Sequence, residues 1–248
     1  MEFTLHAPTL SGDFFDNAAG IAETGIPSVQ IDLSSLGLSS ANALVPNSLV
    51  QYARDTAERH QVEIKSLRID ADPLSLPDDT FGELLGQVPA LVSLAERLGI
   101  PLLVLDGPRT TDALPGREDL IARLKELMGA LSSSTVQAAI LPLRAGESAG
   151  SVQTRRLLDQ VADQRLSVIL DPSALAAERN TDNLDIELSK ELDWLAEALG
   201  GVYIRDTADF SMNWRYCLRR LGEMNFQGPV VLRQFDDPLP DLLRKLNA

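Results

Sequence analysis

The chain has a single cysteine, Cys217, so no disulfide can form within it. That suits a reducing compartment, and a cytoplasmic location is expected. Basic residues are scarce as well: 22 Lys and Arg stand against 36 Asp and Glu, for a net charge of −14. Nucleic-acid binders carry a basic stripe that neutralises phosphates. The two arginine pairs here, Arg155–Arg156 and Arg219–Arg220, fall in helical patterns and read as solvated faces. No nucleic-acid partner is expected. No apolar run approaches the roughly 18 residues a membrane-spanning helix needs. "MEFTLHAPTL" lacks the basic-then-apolar order of a signal peptide. No membrane association is expected. Glycine-rich phosphate loops are missing too. "HAPTLSGDF", after the first apolar burst, has one glycine and no dinucleotide fingerprint. No P-loop, CxxC, HExxH or GxSxG occurs, and no cofactor is expected.

What the chain does have is alternation. Strand-length apolar bursts fall at 3–8, 28–33, 62–72, 101–108, 136–146, 166–175, 201–207 and 229–235. Each is followed by a longer amphipathic stretch, such as "NSLVQYARDTAERHQ" or "NLDIELSKELDWLAEALG", often with Gly or Pro near the junction. Regular strand–helix alternation implies a parallel sheet covered by helices. Eight units in 248 residues imply an α/β fold of the (β/α)8 TIM-barrel type, one domain over 1–248. The competing architecture is an open doubly wound sheet, which would normally show the missing glycine-rich turn. The longest irregular insertion, "SSLGLSSANALVPNS" at 34–48, follows the second strand and is a candidate lid.

The junctions resemble the sugar-phosphate isomerase/epimerase family, the xylose isomerase-like barrels that include an AP-endonuclease branch. "GIPSVQIDL" resembles that family's second strand, with Gln30 at an acidic position. "LSVILDPSAL" resembles its sixth strand, "GGVYIRDT" its seventh and "GPVVLRQF" its eighth. The resemblance implies a divalent metal held by Glu, Asp, His and Glu from late strands. The sequence departs from that set. Pro142 or its neighbours stand where the fifth-strand Glu would be, Ser173 or Ala174 near a His position, Tyr203 at the seventh-strand His and Arg233 at the eighth-strand Glu. Asp171 is the one ligand retained. A lone carboxylate beside an arginine is a poor site for a hard cation, which takes several oxygens. No metal is expected.

Alternation along the strands sorts the side chains. Val29, Ile31, Leu103, Leu105, Val168, Leu170, Val202, Ile204, Val230 and Leu232 are expected to face the helices. His6, Gln30, Asp32, Arg68, Asp70, Asp106, Asp171, Tyr203, Arg205 and Arg233 are expected to face inward at the mouth, with Arg144 ending the fifth strand. Two readings of these charges stay open. In one, the aspartates and arginines form a self-neutralising network. In the other, Asp32, Arg68, Asp106, Arg144, Arg205 and Arg233 bind a substrate or anion, because barrels often take phosphate at the loops after strands seven and eight and guanidinium forks match phosphate or carboxylate. A noncanonical metal held by the aspartates is a third. The catalytic candidates are His6 as proton shuttle, Asp171 as base, and Tyr203 as acid or anchor. His60 is expected to be exposed, and Trp194 and Trp214 to be outer packing or an oligomer contact. The function expected is a sugar or sugar-phosphate isomerase or epimerase acting on a small sugar-like or anionic metabolite. The alternative is a non-catalytic barrel that binds a metabolite or partner. An AP-endonuclease-like activity is disfavoured, since it needs several metals and a basic surface.

Overall fold

A computed structural model describes residues 3–7, 13–38, 45–69, 72–106, 116–131, 134–141, 151–173, 183–210 and 212–247. The strands are β1 (Phe3–His6), β2 (Ser28–Asp32), β3 (Glu63–Ile69), β4 (Leu102–Leu105), β5 (Gln137–Ile140), β6 (Leu166–Leu170), β7 (Leu199–Asp206) and β8 (Val230–Phe235). The helices that follow them are α1 (Phe14–Glu23), α2 (Asn47–His60), α3 (Asp78–Leu98), α4 (Arg117–Ala130), α5 (Ser151–Val161), α6 (Leu184–Leu195), α7 (Trp214–Glu223) and α8 (Leu239–Asn247). Every strand pairs in parallel with the next, and β8 returns to β1 with Leu5 opposite Leu232. That closure rules out the open sheet. The chain is a single-domain (β/α)8 barrel.

Local chemistry places the ends. The Asp13 side chain accepts from Asp16 N and caps α1, and Asn213 does the same for α7 through Tyr216 N. Gly99 closes α3 in the left-handed conformation, where glycine carries no Cβ penalty.

The two faces of the strands separate as alternation requires. Val29, Ile31, Leu103, Leu105, Val168, Leu170, Val202, Ile204, Val230 and Leu232 join the layer packed under the helices. Leu102, Val104, Ala139, Leu141, Ile169, Tyr203 and Val231 form a second cluster inside the barrel. The floor is therefore filled and apolar, and polar side chains are left for the mouth.

Strand β7 starts two residues earlier than its apolar run suggested. The cause is the pair Gly200–Gly201. A Cβ on Gly201 would stand 2.6 Å from Ile169 Cδ1 and 3.3 Å from the Pro229 carbonyl oxygen. Glycine lets β7 pass close to both neighbours. Gly201→Ala is expected to cost about 1–3 kcal/mol through overpacking, read as a lower urea midpoint. An unchanged midpoint would contradict this close approach.

The 34–48 insertion opens as a 3-10 turn, Leu33–Leu36, whose Leu33, Ser35 and Leu36 are buried. Its start is thus fixed to the core, and residues 39–44 lie outside the described residues. Trp214 is buried and meets the Phe210 ring edge-on, while Trp194 is 54% exposed. His60, expected at the surface, is half-buried at the end of α2. No described helix is long and apolar enough to cross a membrane.

Candidate functional site

The C-terminal ends of β1, β2, β3 and β4 supply one half of the mouth. There Arg68 joins two buried aspartates. Its Nε and Nη2 donate to Asp106 Oδ1 and Oδ2 at 2.9 and 2.6 Å, a bidentate fork. Its Nη1 donates to Asp32 Oδ2 at 3.1 Å. The other Asp32 oxygen lies 2.8 Å from His6 Nε2. Burial pushes the Asp32 carboxyl up, but the His6 hydrogen bond and the charges of His6, Arg68 and Arg233 outweigh it and hold the group below its ordinary range. Arg68 is held well above the ordinary guanidinium range: burial opposes its charge, and Asp106 and Asp32 more than restore it. This half of the mouth thus ties two carboxylates to one guanidinium and one imidazole.

The ends of β6, β7 and β8 supply the other half. Asp171 Oδ1 accepts from Ser173 N at 3.1 Å and from the Ser173 hydroxyl. Arg205 Nη2 lies 3.1 Å from Asp171 Oδ2, within ion-pair distance but outside hydrogen-bond alignment. The Arg205 side chain keeps 29% exposure, and among the described residues its buried Nε has no hydrogen-bond partner. The Arg233 guanidinium lies over the Tyr203 ring, its Cζ 4.7 Å from the ring centroid. Burial, with the charges of Arg68 and Arg205, holds Arg233 below the ordinary guanidinium range, while Tyr203 and Asp171 partly offset this. Tyr203 itself is fully buried, and burial pushes its phenol up to about 12.

A register shift helps the two arginines share this space. Ile204 pairs with Leu232, but a bulge between Ile204 and Arg205 moves Arg205 opposite Gln234 rather than Arg233. Like charges directly opposite on neighbouring strands repel, and the bulge re-aims one of them.

The structure therefore brings together His6, Asp32, Arg68 and Asp106 on one side and Asp171, Tyr203, Arg205 and Arg233 on the other. Arg144, Asp70 and Pro142 lie outside the described residues. Asp72 was not singled out by sequence. It turns back to accept from Leu74 N and Ser75 N, and burial, with the nearby Asp106 charge, raises its carboxyl above the ordinary range. The signal was the run "DPLS", an Asx turn after a strand. Arg123, on α4, was also passed over. It donates to the Leu74 and Leu76 carbonyls and pairs with Asp78, which braces the same loop.

A family model for the xylose isomerase-like TIM barrel matches residues 19–247. The chain belongs to that family. No curated protein matches the sequence significantly. Among solved structures, the barrel superimposes on a xylose isomerase-like TIM barrel/4-hydroxyphenylpyruvate dioxygenase fusion protein with a TM-score of 0.76 at 19% identity. That match covers 99% of this chain and 42% of the fusion. A D-psicose 3-epimerase from Clostridium cellulolyticum H10, solved with D-tagatose, gives 0.75 at 15% identity over 95% of this chain and 85% of the epimerase. A 3-keto-D-glucoside 4-epimerase from E. coli gives 0.76 at 14% identity over 99% of this chain and 96% of that one. At these identities the likeness is one of fold.

Among the described residues, the late-strand side chains do not fit the divalent cation that the family implies. The described end of β5 offers Leu141, β6 offers Asp171, β7 a neutral phenol and β8 a guanidinium. Among the described residues, no three His, Cys, Asp or Glu side chains converge as metal ligands. Two guanidiniums in the same space repel a hard cation.

Proposed function

We propose that this chain is a sugar isomerase- or epimerase-like barrel that takes a small sugar-like anion and uses arginine where its family uses metal. One observation carries the reading. Arg205 and Arg233 stand together at the ends of β7 and β8, where barrels commonly hold phosphate, and Arg205 keeps a buried N–H without a partner among the described residues. An anion placed there relieves the repulsion between the two cations and accepts the spare donor.

Isomerisation beside a carbonyl needs a base, an acid and a group that stabilises the enediolate. In this proposal Asp171, fixed by Ser173, takes the proton from the carbon next to the carbonyl. His6, oriented by Asp32 through Nε2, returns a proton. Arg205 and Arg233 hold the developing oxyanion, and Tyr203 supports Arg233 from below. Arg68 and Asp106 keep Asp32 in place. The same pocket without turnover is the binding barrel that the sequence left as the alternative.

Proton exchange separates the two. The protein is incubated in D2O with D-fructose 6-phosphate and with a keto-aldonate, and deuterium at the carbon beside the carbonyl is read by NMR. Incorporation is expected, unchanged by EDTA, and lowered roughly 10²–10⁴-fold in His6→Ala or Asp171→Asn. No incorporation from either class of anion leaves the binding barrel. Incorporation abolished by EDTA contradicts the use of arginine in place of metal.

A further inference from the structure

Asp206 follows Arg205 on β7, and its side chain points the other way, toward α8. Its carboxylate is 3% exposed and lies 2.5 Å from Lys245 Nζ on that helix. A buried carboxylate needs such a partner, because it has lost the solvation that water gives. Lys245 is 45% exposed, so its ammonium keeps much of its own hydration. Its backbone is fixed. Leu242 and Leu246 anchor α8 in the core, and Arg215 Nε on α7 donates to the Lys245 carbonyl at 3.0 Å. The same end of β7 is tied to the end of β8. Asp236 N donates to the Asp206 carbonyl at 3.0 Å, and Asp236 Oδ2 accepts from Ala208 N. These ties begin directly after the bulge between Ile204 and Arg205.

We infer that Lys245 is a positioning residue for Arg205, acting through Asp206. The inference deepens the reading of the mouth as an anion site and rests on it. A bulge releases a strand from its regular register, so the aim of Arg205 is set by what holds the residues beside it. Consecutive side chains on a strand take opposite faces. Arg205 therefore cannot swing out of the mouth unless Asp206 turns with it, and that turn breaks the pair with Lys245. The pair holds Arg205 near Arg233 against the repulsion of two cations. A lysine in the helix layer thus fixes the direction of an arginine at the barrel mouth.

Two measurements on the full chain test the inference: calorimetric titration with inorganic phosphate, and backbone hydrogen exchange without it. Lys245→Met keeps the stem and removes the charge. It is expected to weaken phosphate binding about tenfold and to speed exchange at residues 205–207, while β2 and β3 stay protected. Asp206→Asn weakens the same pair from the other side and should act alike. Lys245→Arg keeps the charge and should match wild type in both readouts. So should Arg244→Gln, which removes a neighbouring charge from a side chain 80% exposed. Phosphate binding left intact in Lys245→Met would overturn the inference, since the pair would then serve stability alone. An equal loss in Arg244→Gln would overturn it too, as a general effect of charge. If wild type takes up no phosphate, the anion reading of the mouth fails. Exchange then decides the tie between Lys245 and the end of β7: faster exchange in Lys245→Met sustains it, and unchanged exchange overturns it.

Discussion

Arg68→Met is expected to lower the stability of the protein by about 3–5 kcal/mol, the largest loss of any single change at the mouth. The cause is what stays behind. The Arg68 side chain is 7% exposed, and its carboxylate partners on Asp32 and Asp106 are 9% and 4% exposed. Methionine fills similar space but leaves two negative charges facing each other away from water. Such a loss is a large share of the roughly 5–15 kcal/mol that folded domains have. Adding Asp106→Asn should recover part of it, because one orphaned charge is then removed. Equilibrium urea unfolding of the single and double variants measures both. A loss under about 1 kcal/mol for Arg68→Met would mean that the early-strand charges are solvated, against the burial described above.

The second large effect is expected on binding. Wild-type protein should be stabilised by phosphate, sulfate or a sugar phosphate. At a hundredfold excess over the dissociation constant, mass action contributes about 2.7 kcal/mol. For a chain of this size that raises the melting temperature by roughly 5–10 °C. Arg233→Met should keep the fold and lose that rise. Arg233 is only partly buried, and its neighbours Arg68 and Arg205 carry the same charge, so removing it relieves cation–cation repulsion there. If both halves of the mouth were structural, the outcome would invert: the variant would be strongly destabilised and neither protein would respond to anions.

These two variants divide a cluster that the sequence presented as one. Alternation along the strands was enough to place His6, Asp32, Arg68, Asp106, Asp171, Tyr203, Arg205 and Arg233 inward, because a strand has a period of two whatever it pairs with. The barrel was legible for a related reason: eight strand–helix units leave few other ways to bury both faces of a parallel sheet. Which arginine meets which aspartate was not legible. That depends on how neighbouring strands are staggered, and the bulge at Ile204/Arg205 has no sequence marker. The fork between Arg68 and Asp106 follows from the register that sets Arg68 beside Val104, two residues before Asp106. Sequence spacing does not carry that. The role of Asp72 was hidden for another reason. It acts through loop geometry, and a lone aspartate in a turn looks like any other. The early start of β7 was missed because glycine reads as a breaker until its neighbours are known.

The use of arginine in place of metal is tested most directly by elemental analysis of the purified protein, before and after dialysis against Mn2+, in wild type and Asp171→Ala. Wild type is expected to carry no stoichiometric divalent ion in either state, and its melting temperature should ignore EDTA and Mn2+ alike. One Mn, Zn or Mg per chain, lost on Asp171→Ala, would contradict it.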